Sequence, residues 1–213
     1  MRFLPRAFRE GGLLTWRNLL PLLWLNLIWA ALAWTLVLTG PATLASYALI
    51  ATTMREDREP DLRQFLPLLR RNLLPGILWA LTAAAFAFLV YSNYTFWRRM
   101  LGPFGDTVLF LLVTYLSWLF VALQPYLLEA LSVQRLPYGR AWRAAFLGLV
   151  QHPLSAHLYV LIPLAVFVLS LIFRTFALVI LVSVALAFAA AQVRPLTQQP
   201  PPPADLPEQS PST

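Results

Sequence analysis

Cysteine is absent from this chain, lysine is absent, and histidine occurs twice. Without cysteine there can be no disulfide and no thiolate metal site, and redox chemistry gives no hint of compartment. His152 and His157 are five residues apart, which puts them on different faces of a helix, so they form no helical metal pair. No metal and no cofactor is expected. Charge is scarce as well: charged residues make up 12% of the chain, against about 25% in an ordinary globular domain. Catalytic signatures are missing too. There is no glycine-rich phosphate loop, no His-Glu-x-x-His and no pair of acids within an apolar run. Ser46, Ser92, Ser117, Ser170 and Ser183 lie in apolar runs without a spaced base. A non-catalytic protein is the expectation.

What fills the sequence is hydrophobic, 59% of 213 residues. Several apolar runs reach spanning length, so the expected class is an all-α membrane protein, a six-helix transmembrane bundle with short amphipathic interfacial helices. Residues 1–195 make up the transmembrane domain, and 196–213 a disordered proline-rich tail too poor in apolar residues to fold. The net charge of +7 comes from 16 basic residues, all arginine, scattered between apolar runs. They form no basic face, so nucleic acid is not an expected partner; they read as topology signals.

The first span is expected over 19–39. Its 21 residues rise about 32 Å as a helix, enough for a hydrocarbon core of roughly 30 Å. The run is longer than a cleavable signal core, so it reads as a retained anchor. Gly40 and Pro41 are expected to stop it and open a second, shorter piece over 41–54. Further spans are expected over 73–97, 107–132, 154–173 and 176–192. Pro125 interrupts the fourth. Between spans, Leu62, Phe65, Leu66 and Leu69 share a helical face, as do Trp142, Ala145, Phe146 and Leu149. Both segments read as surface helices, and the amino-terminal 18 residues as a short one at most.

Arg17-Asn18-Leu19-Leu20-Pro21 and Arg71-Asn72-Leu73-Leu74-Pro75 are identical pentapeptides, each opening a span. Gln151-His152-Pro153 imitates them. The expected unit is a surface helix that ends in polar anchors and feeds a hairpin, used three times. With the amino terminus inside, thirteen arginines fall on inner segments, while Arg98, Arg99 and Arg174 fall outside. That bias predicts six crossings with both termini cytoplasmic.

Asn26-Leu27-Ile28-Trp29, followed by Thr39-Gly40-Pro41-Ala42-Thr43-Leu44-Ala45-Ser46-Tyr47, resembles the signature of the YesL-like family of small bacterial integral membrane proteins. Phe65 to Asn72 resembles that family's amphipathic segment, and Gln124-Pro125 its proline in the fourth span. The resemblance covers about residues 15–190. It implies a multi-pass protein of the bacterial inner membrane, an accessory or regulatory component of carbohydrate uptake or polysaccharide utilisation. The implied partners are the lipid bilayer and a carbohydrate transporter or other membrane proteins.

Polar groups inside apolar spans are the candidate functional residues. They are Asn26, Thr43, Tyr47, Gln124 and Glu129, with helix breaks at Gly40, Pro41 and Pro125. Asn26 is expected in an interhelical hydrogen bond. Gln124 is placed to compensate the Val121 carbonyl that Pro125 frees. Glu129 is the one acid within a span and is expected to pair with Arg135, Arg140 or Arg143. If these groups instead line one cavity, the chain is a small-solute transporter or channel with a site near the Gly40-Pro41 break.

Overall fold

A computed structural model describes residues 6–172 and 174–197. Among the described residues the fold is all-helical. In chain order the helices are α1 (Arg6–Arg17), α2 (Leu19–Ala33), α3 (Thr39–Glu56), α4 (Phe65–Arg71), α5 (Leu73–Trp97), α6 (Pro103–Leu128), α7 (Tyr138–Gln151), α8 (Pro153–Ile172) and α9 (Arg174–Thr197). A 3-10 turn, Leu62–Gln64, leads into α4, and a π turn, Glu129–Val133, extends α6. The tail expected over 196–213 lies outside the described residues beyond Thr197.

Two of these helices have the length and composition to cross a membrane: Leu73–Trp97 and the continuous run Pro103–Val133. A third is possible if α7 and the first part of α8 count as one span, although these are bent by 104°. Six crossings were expected. The difference lies first in α2, which ends at Ala33 rather than Thr39 and so rises only about 22 Å over its 15 residues. Threonine side chains end it. The Thr35 hydroxyl donates to the Leu32 carbonyl at 2.7 Å and accepts from the Leu38 amide at 3.3 Å. Such local bonds compete with the helical ladder. Leu36 takes a left-handed φ of 58° in the turn that follows. Gly40 and Pro41 therefore lie within the first turn of α3, not at the break.

α3 is the centre of the molecule. Fourteen of its 18 residues are buried, and α2, α4, α5, α9 and the π turn all pack on it. Ala42, Ala45, Ala48 and Ala51 are buried along it. Small side chains let neighbouring backbones approach, which is how apolar helices gain contact when lipid offers the same hydrophobicity. The closest approach is at its amino end. A Cβ on Gly40 would overlap the carbonyl of Gly76 in α5, and one on Gly76 would overlap the backbone of Pro41. Only glycine fits at either place.

The two identical pentapeptides fold alike. Asn18 separates α1 from α2 and Asn72 separates α4 from α5, each buried and each with a side-chain amide on the carbonyl four residues earlier. The backbone carbonyl of each then accepts from the amide four residues on, in the first turn of the next helix, from Leu22 and from Gly76. His152 stands at the corresponding corner between α7 and α8, accepting from Ala156 at 3.1 Å. A short amphipathic helix, a polar corner and an apolar helix thus recur three times.

A buried carboxylate at the centre of the helix assembly

The α3 ridge of Thr39, Thr43, Tyr47, Ala51 and Arg55 repeats every fourth residue, so these side chains stack along one face. Each polar member has a partner. The Thr43 hydroxyl donates to the Thr39 carbonyl at 2.7 Å and accepts from the Trp29 indole at 2.9 Å. The Tyr47 hydroxyl donates to Glu129 Oε2 at 3.1 Å. Arg55, in the last turn of α3, donates to the other carboxylate oxygen, Oε1, and forms an ion pair with it. Ser46, beside Tyr47, keeps a buried hydroxyl with no hydrogen-bond partner among the described residues.

Glu129 is 2% exposed. Removing an ionised carboxylate from water is costly unless it is paired and hydrogen-bonded. Here both oxygens are engaged, one by a cation and one by a phenol. The expected partners Arg135, Arg140 and Arg143 do not form this ion pair; Arg55 does. The reason is direction. The π turn that begins at Glu129 aims the carboxylate at α3, while Arg135 lies beyond the turn in a left-handed conformation, φ 57°. A π turn inserts an extra residue into the helical ladder and re-aims the side chains around it.

The other candidates are tied up elsewhere. Asn26 Oδ1 accepts from the backbone amides of Val182 and Ser183 in α9, at 3.1 and 3.2 Å. Gln124 Oε1 accepts from the Trp79 indole at 2.8 Å. Its amide donates to the Phe120 carbonyl at 3.0 Å, rather than to the Val121 carbonyl as Pro125 suggested. Of the five candidate residues, the structure joins Tyr47 and Glu129 directly. Thr43 lies one turn away on the same ridge, and Asn26 and Gln124 bond to other helices. The Gly40-Pro41 segment is closed by Gly76.

Three participants were missed from sequence. Trp29 entered only as part of the family-like signature and Trp79 not at all, yet both indoles donate across helix pairs. Arg55 counted only as one of the thirteen inner arginines. A signal for it was available: it is the first charge after the uncharged run 18–54, and an acid in an apolar span requires a base. The nearer arginines competed on chain distance alone.

Glu129 also lines a cavity of about 260 Å³, together with Tyr126, Gln134 and Gln151. Among the described residues no cluster of three His, Cys, Asp or Glu could hold a metal ion. A carboxylate neutralised by arginine and held by a tyrosine is suited to clamping helices together, or to exchanging partners when they move.

Residues 22–94 match the model of a family described as protein of unknown function, DUF624. Neither a curated protein nor a solved structure matches this chain. The matched segment runs from α2 through most of α5. It contains the Gly40–Gly76 contact, Tyr47 and Arg55, and it stops short of Glu129.

Proposed function

We propose that this chain is a non-catalytic, multi-pass protein of the bacterial inner membrane that acts by engaging other membrane proteins, as an accessory or regulatory component of carbohydrate uptake or polysaccharide utilisation. The carbohydrate setting rests on the YesL-like resemblance, with which the DUF624 match is consistent. The observation that carries the non-catalytic reading is the dispersal of the intramembrane polar groups. Asn26, Thr43, Gln124 and the Tyr47–Glu129–Arg55 cluster each spend their hydrogen bonds joining helices, at separate places. The exposed arginines of the amphipathic helices, among them Arg9, Arg70, Arg140 and Arg143, remain as docking groups.

The test is cross-linking of tagged full-length chain in its native membrane, followed by purification. A transporter recovered in a fixed ratio supports the reading. Solute flux into vesicles holding the purified chain alone overturns it. One observation favours that rival reading of a small-solute transporter, namely the cavity beside Glu129. Flux lost on Glu129→Gln would establish it there, away from the closed Gly40-Pro41 segment.

The fuller reading of the architecture is a six-helix transmembrane bundle with cytoplasmic termini. The contact between Gly40 and Gly76 favours a modified version. Touching backbones lie at one depth, and Gly76 is only five residues from Arg71. We infer that α2 and α3 enter the membrane as a hairpin and return without reaching the far side, with the exposed apolar tip of Trp34, Leu36 and Val37 in lipid. The arginine bias is unchanged, since both versions keep residues 55–71 inside. Because the chain has no cysteine, single cysteines can be placed at will. Gly102→Cys should label from the periplasm with an impermeant maleimide, whereas Leu36→Cys and Glu59→Cys should not. Labelling of Leu36→Cys from that side restores six crossings.

A further inference from the structure

Between the α4–α5 corner and the turn into α7 lies a cavity of about 310 Å³. Its walls are apolar, formed by Leu74, Pro75, Leu78, Leu131 and Leu136, and two arginines stand in its lining, Arg71 and Arg135. No acid contributes to it. Both arginines are exposed, and neither has an ion pair among the described residues. They come from segments 64 residues apart, and the fold brings both to one pocket. A second cavity makes the contrast. Arg17, Arg58 and Arg194 line it too, but Glu10 and Asp57 line it with them, so most of its positive charge is already answered.

Two like charges sharing a pocket repel unless an anion joins them. Arg135 is also held in a left-handed conformation, φ 57°, a strained state that persists only where the surroundings impose it. The Leu136 amide, bonded to the Ala130 carbonyl at 2.9 Å, fixes the turn that presents it. On the apolar side, the pocket opens onto the exposed leucines of α5, Leu74, Leu78 and Leu81. A cationic rim above an apolar track is the complement of a molecule with a phosphate at one end and hydrocarbon at the other.

We propose that this pocket binds one anionic phospholipid, its phosphate between Arg71 and Arg135 and an acyl chain along α5. The proposal rests on reading α5 as a membrane-crossing helix, and goes beyond the function proposed above in naming a ligand and its site.

The test uses the full-length chain in neutral detergent, with its unfolding midpoint followed by tryptophan fluorescence as phosphatidylglycerol, phosphatidylcholine or inorganic phosphate is added. Phosphatidylglycerol should raise the midpoint saturably, and the other two should not. R71Q/R135Q should weaken the apparent affinity about 30-fold, at roughly fivefold per arginine. R98Q/R99Q, at the other end of α5, should leave it unchanged. Leu74→Trp, which fills an exposed part of the pocket with both charges kept, should also weaken it, and serves if the double variant fails to fold. An equal response to phosphatidylcholine overturns the proposal. So does a full response to inorganic phosphate, or wild-type affinity in either pocket variant. A chain that inserts into vesicles without headgroup preference loses this site alone; one that does not insert loses the membrane reading as well.

Discussion

α3 and α5 are both apolar helices, packed against each other, and they differ in how much of each the protein covers. Fourteen of 18 residues are buried in α3, and one of 25, Gly76, is buried in α5. The residues differ to match. α3 carries alanine, glycine, serine and threonine, which bring backbones together. α5 carries large side chains, Leu81, Phe88, Leu89 and Tyr91 among them, turned outward. Hydrophobicity alone therefore does not say whether a helix meets lipid or protein. The large side chains turned outward on α5 are what set it apart from α3.

The contrast can be broken at the charged pair that fixes α3. Arg55→Ala leaves the Glu129 carboxylate buried with only Tyr47 as partner, and should destabilise the fold by about 3–5 kcal/mol, read from unfolding in mixed micelles. Adding Glu129→Leu to that variant should recover part of the loss, because the unpaired charge is then gone. A double variant no more stable than Arg55→Ala would deny the pair its structural role.

A matched truncation sharpens the comparison. Leu44→Ala, at 0% exposure in α3, should cost about 3 kcal/mol. Leu89→Ala, at 57% exposure in α5, should stay within about 0.5 kcal/mol. Equal losses would mean that α5 is covered by protein in the membrane, for instance by a partner. The smallest effect belongs to the corners. Asn72→Ala and Asn18→Ala each remove a side-chain bond to a carbonyl four residues back and should cost about 1 kcal/mol apiece. Similar losses at both would fit the two pentapeptides being one device used twice.

The corners were legible because their information is local: Arg-Asn-Leu-Leu-Pro carries both the polar stop and the proline tolerated in the next helix. The long helices α5 and α6 were legible because a run of large apolar residues needs no partner to be recognised. The burial of α3 was not, since its alanines fit lipid and protein equally well until its neighbours are known. Glu129 was recognised as unusual, but its partner lies 74 residues away. Only the fold, with the π turn aiming one side chain, joins them. The early end of α2 turned on threonine hydroxyls, a signal smaller than the apolar run containing them.

The bond from Asn26 to α9 sets an order of events in the making of this protein. Its two halves are 156 residues apart. At roughly 5–20 residues per second, the ribosome delivers the second half on the order of ten seconds after the first. Until then the oxygen of Asn26 lacks these two donors, and the groove that α9 fills stands open. A helix synthesised late is the one that completes an early one.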